Sequence, residues 1–386
     1  MIFLGNALPA IAVVIDAIIS IFLLIALTNL LFIRKFRTPV VASNLKVSIL
    51  VPARNEQHGI ERCVKSLLAQ NLPDFEVIVM DDNSTDETGA ILSRLQDADG
   101  RLRVIKGTNL PEGWLGKNWA CWQLYMASAG DVLVFCDADT WHEPDSIAAA
   151  LDLLKIERAQ LMTCIVRHET ATFLEKVAVP QVNWNMMCLM PAFLSHHSKE
   201  PNLVMGSGSC MVFERGAYEL IGGHESVKAV ILEDLGIAKM IKVHGMKAIL
   251  GNAAGFISCR MYRSNGEVIS GFSKNFLSAF GYRLMPFFAT VSAFALAVVL
   301  PALLIIDAFI RKDSGNLPIA LSAYLLLLVI RFIVDTRTKA SPLLFLTFPL
   351  TMLAWSLLGC LSLYRHIKGT SEWKGRKMPK PNLRMI

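Results

Sequence analysis

The sequence predicts an α/β domain, a parallel or mainly parallel sheet with helices on both faces, tethered by one N-terminal and about three C-terminal membrane segments. Three observations carry that reading. Between residues 46 and 283, short β-branched and aromatic runs alternate with stretches of helical period, the pattern of strands joined by crossover helices. Residues 9–33, 285–310, 317–334 and 342–364 are apolar runs long enough to span a bilayer. Finally, 53% of the 386 residues are hydrophobic and mean hydropathy is +0.45, above the range of an ordinary soluble chain.

Charge and cysteine usage narrow the class further. The net charge is +6, but Arg34, Lys35, Arg37, Arg365 and Lys368 sit beside the apolar runs. That is membrane flanking, and it speaks against a nucleic-acid partner. The eight cysteines contain no Cys-x-x-Cys pair and fall mostly in apolar segments, so they read as reduced core thiols facing the cytosol, not as disulfides or a zinc site. The eight histidines show no ligand spacing, and the adjacent His196 and His197 are expected in a polar loop.

The expected organisation is an N-terminal transmembrane helix (1–37), a cytoplasmic domain with interfacial segments (46–283), a C-terminal membrane region (285–364) and a basic tail (365–386). As a helix the first run would be roughly 37 Å long, more than a hydrocarbon core. A cleaved signal peptide is the competing reading, but the run is too long for one, has no basic n-region before it and is followed by no small-residue cleavage site, so a membrane span is expected. The positive cluster Arg34-Lys35-Phe36-Arg37 follows it and places the next domain in the cytoplasm. Asp16 is costly inside a bilayer unless it reaches the outer interface or faces a partner helix.

Strands are predicted at 47–51, 75–80, 103–105 and 132–136, and helices at 60–70, 85–95 and 118–128. Residues 173–194 are rich in Met and Leu but broken by Pro180 and Pro191, so a helix on the membrane surface, or one lining an apolar acceptor entrance, fits better than a buried core helix. Residues 206–213 read as a turn and strand, and 217–221 as a short helix stopped by Gly222-Gly223. The three late runs raise a conflict. Three crossings from the cytoplasm would put the tail outside, yet the tail carries seven Lys or Arg residues and should stay inside. The run at 317–334, which contains Arg331 and ends at Asp335, is the one expected to deviate.

In a sheet of this kind ligands bind beyond the carboxyl ends of the strands. The apolar run 132–136 delivers Asp137 and Asp139 there, and two carboxylates one residue apart coexist most readily around a hard divalent cation such as Mg²⁺ or Mn²⁺. The cluster Asp81-Asp82-Asn83-Ser84-Thr85-Asp86 also follows a strand. A carboxylate there can accept the imide N–H of uracil or a ribose hydroxyl, or can cap the next helix. Asp82 is assigned the first role and Asp86 the second. Gly113-Trp114-Leu115-Gly116-Lys117 opens a helix, where backbone donors and the Lys117 charge suit a diphosphate. Asp234, in Leu232-Glu233-Asp234-Leu235, is a candidate general base or a helix cap. Arg260 and Arg263 can clamp a leaving pyrophosphate, or meet anionic headgroups.

The succession Val-Pro-Ala-Arg-Asn-Glu (51–56), Asp-Asp-Asn-Ser-Thr-Asp (81–86), Gly-Trp-Leu-Gly-Lys (113–117), Asp-Ala-Asp (137–139) and Glu-Asp (233–234) resembles membrane-bound family 2 glycosyltransferases of the GT-A nucleotide-sugar, Rossmann-like fold. Arg-Met-Tyr (260–262), Gly-Phe-Ser-Lys-Asn (271–275) and Glu-Trp-Lys-Gly-Arg (372–376) look like the carotenoid-type, 4,4'-diaponeurosporenoate branch. The resemblance implies that Pro52, Ala53, Glu56 and Asp82 cradle uridine, that Asp137 lies near the ribose and diphosphate, that Asp139 holds the metal, and that Asp234 deprotonates the acceptor. Where processive members carry Gln-x-x-Arg-Trp, this chain reads Arg-Met-Tyr-Arg-Ser, without the tryptophan. The expected activity is therefore a metal-dependent, inverting transfer of one sugar from a nucleotide donor, UDP-linked, to a lipid, possible acceptors including carotenoids and other terpenoids. A processive polysaccharide synthase and a non-catalytic nucleotide-sugar binder are the alternatives.

Overall fold

The computed structural model describes residues 2–39, 45–311, 315 and 317–385. In chain order, helix α1 (Ile2–Phe32) precedes β1 (Val47–Ala53), α2 (Ile60–Leu68), β2 (Phe75–Asp81), α3 (Thr88–Ala98), β3 (Leu102–Lys106) and α4 (Gly116–Ala127). Next come β4 (Val132–Cys136), β5 (Thr140–His142), α5 (Ser146–Glu157), β6 (Leu161–Ile165), β7 (Arg167–His168), α6 (Phe173–Ala178), α7 (Gln181–Cys188) and α8 (Ala192–His197). They are followed by β8 (Cys210–Glu214), α9 (Arg215–Leu220), α10 (Glu233–Val243), β9 (Ala248–Asn252), β10 (Ile257–Cys259) and α11 (Asn265–Ala279). Long helices α12 (Leu284–Arg311), α13 (Leu317–Arg337) and α14 (Phe348–Lys368) and a small hairpin, β11 (Glu372–Trp373) with β12 (Arg376–Lys377), come last. The chain divides into a globular unit, Leu30–Glu169 with Ala192–Met261, and a helical unit, Met1–Asn29, Thr170–Pro191 and Tyr262–Ile386.

The globular unit is built on a seven-stranded sheet of order β3-β2-β1-β4-β8-β6-β9. β3, β2, β1 and β4 are parallel, with Val51 beside Val79 and Ile49 beside Val134. β8 runs antiparallel to both β4 and β6, so the sheet is mixed and not wholly parallel. Every residue of β4 and β6 is buried, which is why these strands read as continuous apolar runs. Alternate residues serve opposite faces. Ile49, Val51, Val77, Val79 and Val134 belong to one core layer with Ile60, Val64 and Leu67 of α2. Leu50, Ile78, Leu133 and Phe135 belong to another with Leu124 of α4 and Ile237 and Ile241 of α10. Each such side chain contributes roughly 1.5–3 kcal/mol on burial.

The entry to β4 requires a residue without a side chain. A Cβ on Gly130 would lie 2.6 Å from Ser48 N, 2.7 Å from Ser48 Oγ and 2.8 Å from Lys46 O. Much of that obstacle is backbone, which yields only by shifting the β1–β4 register. Gly130→Ala is therefore expected to cost about 1–3 kcal/mol, read as a melting temperature a few degrees lower for the full-length protein in detergent. An unchanged melting temperature would show that the pair relaxes without cost.

Two local expectations are corrected. Helix α3 begins at Thr88, not Thr85, because the preceding side chains bond elsewhere: Asn55 Oδ1 accepts from Thr85 N at 2.8 Å, and Ser84 Oγ accepts from Asn55 N at 3.0 Å. His196 and His197 end helix α8 instead of lying in a polar loop. His196 is buried, its Nε2 accepts from Leu250 N at 3.0 Å, and burial pushes its pKa down to about 4. The basic cluster after α1 also serves the sheet edge. Asn252 N donates to Arg34 O at 2.8 Å, Phe36 N donates to Asn252 O at 2.9 Å, and Arg34 pairs with Glu157 at 2.6 Å, covering backbone groups that an edge strand leaves open.

Among the described residues four stretches are long and apolar enough to cross a membrane, Val13–Phe32, Leu284–Ile310, Leu317–Arg337 and Pro342–Lys368. Asp16 Oδ2 accepts from Ser322 Oγ of α13 at 2.7 Å, so a partner helix is what accommodates it. The charges that marked α13 as deviant pair with each other through one nitrogen: Arg331 Nε reaches the two oxygens of Asp335 at 2.8 and 2.7 Å while Nη1 and Nη2 are buried without a hydrogen-bond partner among the described residues, both residues are buried, and the helix is continuous. Pro180 does break the 173–194 stretch, and the carbonyls freed there are taken by α14, Thr351 Oγ1 on Val177 O at 2.7 Å and Trp355 Nε1 on Ala178 O at 2.9 Å. The middle helix, α7, packs as core rather than lying on a surface. Trp184 is fully buried among the rings of Phe22 and Phe294, which it meets edge-on, and Phe348, which is tilted at 45° to it, geometries in which aromatic pairs gain beyond their buried area.

Ring contacts fix the direction of the last long helix against α12. Trp184 contacts Phe294 of α12 and Phe348 at the start of α14, while Tyr282, just before α12, meets His366 near the end of α14 with ring centroids 5.1 Å apart. α14 thus runs antiparallel to α12 and returns to the end where the chain enters it. Leu284 N donates to Arg384 O at 2.8 Å and Arg384 N to Tyr282 O at 2.9 Å. α13 is a continuous helix, and the 3₁₀ segment Pro342–Thr347 joins it to α14.

Candidate active site

Three loops leave the carboxyl ends of β1, β2 and β4 in the globular unit. The first two are laced together. Asp82 N donates to Ala53 O at 2.8 Å, Arg54 Nη1 to Asp82 O at 2.6 Å, and Glu56 N to Thr88 Oγ1 at 2.8 Å. Pro52 and Ala53 are the last residues of β1, and Asp82 is buried one residue past β2. Asn55 and Asn83 adopt left-handed φ values of 52° and 54°, a conformation that asparagine tolerates best among residues with a side chain. Asp86 is structural, as its place suggests. Its carboxylate accepts from Thr88 N at 3.0 Å and Gln57 N at 3.2 Å, and these bonds outweigh burial to hold its pKa low.

At the end of β4 the turn closes through Thr140, whose Oγ1 donates to Asp137 O at 2.7 Å. Asp139 O accepts from Arg260 N at 3.0 Å, and its Oδ1 accepts from the Cys259 thiol at 3.5 Å. Lys117, in the first turn of α4, places its Nζ 2.6 Å from Asp137 Oδ1 and 2.6 Å from Glu233 Oε1. The ammonium thus lies between Asp137 and Glu233, not between Asp137 and Asp139, the pair for which the sequence called for a cation. Burial disfavours the Lys117 charge, but Asp137 and Glu233 outweigh it and raise its pKa well above the usual value. Burial, helped by Asp139, lifts Asp137 to about 6 against the pull of Lys117. For buried Glu233 the balance reverses, and Lys117 holds its pKa below the usual value.

Asp234 follows Glu233 at the start of α10, with Oδ1 accepting from Leu235 N at 2.7 Å. Burial, with the neighbouring Glu233 charge adding to it, raises Asp234 to about 6. Four residues that assemble this cluster escaped the sequence reading of the site. In the sequence Glu233 reads only as the neighbour of Asp234 in the Glu-Asp motif, with no role assigned, yet it is the second carboxylate on Lys117. Asn118 is buried, and its Nδ2 donates to Val227 O at 2.8 Å, Lys228 O at 3.2 Å and Val230 O at 3.0 Å, holding the approach to α10 against the start of α4. A Cβ on Gly208 would lie 3.2 Å from Lys117 Nζ and 3.4 Å from Asp137 Oδ2, and one on Gly206 would lie 3.1 Å from the Asp234 backbone. The Gly-Ser-Gly-Ser turn was the available signal: paired glycines beside an acidic motif mark a close backbone approach.

Of the other candidates, Arg260 belongs to the globular unit and Arg263 to the helical unit, where its N–H donates to Glu267 Oε2 at 2.9 Å. All eight cysteines are free thiols, seven of them buried.

This architecture can be set beside known proteins. Residues 48–222 match the model of glycosyl transferase family 2. They form a family 2 glycosyltransferase domain. The chain is 25% identical to a 4,4'-diaponeurosporenoate glycosyltransferase of Staphylococcus haemolyticus (strain JCSC1435) over 241 residues, 59% of this chain and 60% of that protein. It is likewise 25% identical over 248 residues to the Staphylococcus aureus (strain MRSA252) protein of the same name, covering 61% and 62%. The match thus spans about 60% of the length of these curated relatives. A mannosyltransferase from Pyrobaculum calidifontis, solved in complex with GDP-Man and Mn²⁺, superposes with a TM-score of 0.56 at 19% identity, covering 94% of this chain and 98% of that one. That likeness shows the fold: the family 2 domain here is a mixed GT-A sheet.

Proposed function

We propose that the protein is a metal-dependent, inverting glycosyltransferase that moves one sugar from a UDP-linked donor to a lipid at the inner face of the cell membrane. The observation that carries the proposal is the cluster at the carboxyl edge of the sheet, where Lys117 bridges Asp137 and Glu233 at 2.6 Å each and Asp234 adjoins Glu233. Pro52, Ala53, Glu56 and Asp82 are assigned to the uridine, and Lys117 and Asp137 to the diphosphate side of the donor. Asp234 is assigned as the base that takes the acceptor's proton. Its pKa, raised to about 6, suits a base that is ionised yet reactive at neutral pH. Arg260 is assigned to the leaving diphosphate through its attachment to the Asp139 backbone, and Arg263 on the sequence alone.

The donor set agrees with a hard divalent ion. Among the described residues no group of three or more His, Cys, Asp or Glu could hold a metal ion, but Mg²⁺ and Mn²⁺ are commonly held by one or two carboxylates with phosphate oxygens completing the shell. Asp139 would hold such an ion together with the donor, and Gly208 leaves room beside Asp137. When bound, the ion neutralises charge on the departing diphosphate.

The lipid acceptor and the membrane location are supported by the four apolar helices. With Arg384 beside Tyr282, the basic tail returns to the end at which the chain enters α12, which lets one inward-facing side hold both the positive flanks of α1 and the tail. The decisive experiment incubates membranes containing the protein with radiolabelled nucleotide sugar and separates the lipid extract by mass. One new glycolipid bearing a single sugar is expected. A ladder of products would instead indicate a processive synthase, and label left wholly in the donor would overturn the proposal.

A further inference from the structure

The motif Glu-Trp-Lys-Gly-Arg near the end of the chain has no part in the chemistry above, yet the helical unit builds a cavity around it. The cavity measures about 450 Å³ and is lined by Ser270, Arg365, Thr370, Glu372 and Lys374. Its walls are fixed from three sides. On the first, Arg365 Nη1 donates to Ser273 Oγ at 2.6 Å, and Ser273, itself buried, donates to Ser270 O at 3.1 Å, so α14 and α11 are pinned to each other. On the second, α14 ends at Gly369 with a φ of 66°, which turns the chain across the cavity to Thr370. On the third, the β11–β12 hairpin reverses at Lys374 and Gly375, with φ values of 46° and 76°, and presents Glu372 and Lys374. Trp373 anchors this wall. The Lys274 ammonium lies 4.3 Å from its ring centroid, and Tyr262, buried and filling the space that Gly271 leaves open, meets it edge-on at 6.3 Å.

The lining has a definite chemistry. The residues that line it carry a guanidinium, an ammonium and two hydroxyls, with a single carboxylate as acceptor. Four donor groups around one cavity suit a phosphate, whose several oxygens take a forked guanidinium and a point-charge ammonium together. Glu372 favours a ligand that also carries a donor, as a phosphate ester with a hydroxyl or amine substituent does. A basic pocket beside helices of membrane-spanning length is a setting in which anionic headgroups are bound.

We propose that this cavity is a phosphate-ester binding site in the helical unit, distinct from the donor chemistry of the family 2 domain. The ligand is a lipid headgroup or a soluble phosphate, and the same binding test separates them. Full-length protein in a non-ionic detergent is titrated with dihexanoyl phosphatidylglycerol in one arm and inorganic phosphate in the other, with the thermal transition followed in each. Stabilisation by the short-chain lipid alone identifies a headgroup site, and stabilisation by inorganic phosphate as well identifies a general phosphate site. Lys374→Ala and Arg365→Gln are each expected to weaken the binding about tenfold, as loss of a charge-assisted contact does. Lys377→Ala, which removes a tail charge outside the lining, is expected to leave it unchanged. Because Arg365 also holds Ser273, Lys374→Ala is the cleaner variant, and its unliganded melting temperature should match the parent. Absence of stabilisation in both arms overturns the proposal, and so does equal weakening by Lys377→Ala and Lys374→Ala.

Discussion

Asp234→Asn is expected to bind donor with unchanged affinity and to transfer sugar about 10²- to 10⁴-fold more slowly, the range that a positioned general base contributes. At about 1.4 kcal/mol per decade this is roughly 3–5 kcal/mol of lost transition-state stabilisation. The substitution keeps the side chain's shape and a carbonyl oxygen to accept from Leu235 N, so the first turn of α10 stays formed. What it removes is the basic oxygen pair. The pH dependence of the parent enzyme supplies a second reading of the same group. Burial raises Asp234 to about 6, a base acts only when ionised, and the rate should therefore fall about tenfold per pH unit below that value. The asparagine variant should lose this acid limb. Normal turnover by Asp234→Asn, measured with labelled donor, would remove Asp234 from the role and leave the donor assignments standing.

Much of the scaffold beneath this prediction was legible in the sequence, because the contacts that decide it are local or periodic. The buried strands β1, β2 and β4 show as apolar runs, and each delivers polar residues at its carboxyl end. The parts that were not legible depend on partners far along the chain. Glu233 has nothing around it to reveal that Lys117 lies 2.6 Å away. Asn118 resembles any polar residue near a helix start until its three carbonyl partners, at positions 227, 228 and 230, come into place. His196 is helical and buried because the β9 backbone supplies the N–H that its ring accepts. The start of α3 was misplaced for a related reason. Ser84, Thr85 and Asp86 have good capping side chains, but the loop after β1 engages them first. The charges of α13 misled in the opposite direction. Arg331 and Asp335, four residues apart, form a buried ion pair, so a pattern that looked hostile to a continuous helix is carried within one.

Asp139→Ala is expected to abolish the metal-dependent part of donor binding. Loss of an ion that stabilises a diphosphate removes several kcal/mol of interaction, and donor affinity measured with saturating Mn²⁺ should fall at least about 100-fold, toward the value obtained in chelator. The structure also gives this variant a signature that separates it from a misfolded one. Asp139 is among the causes that raise the pKa of Asp137, so removing its charge relieves repulsion that the folded state holds in place. Lys117 remains on Asp137 and Glu233 and is sufficient to keep those two carboxylates together without an ion. The unliganded variant should therefore melt no lower than the parent while failing to gain stability from donor and Mn²⁺. Asp139→Asn, which retains an oxygen to accept from the Cys259 thiol, should behave the same way. If either variant still responds to Mn²⁺ with parental affinity, the ion is held elsewhere, and Asp139 has no part in holding it.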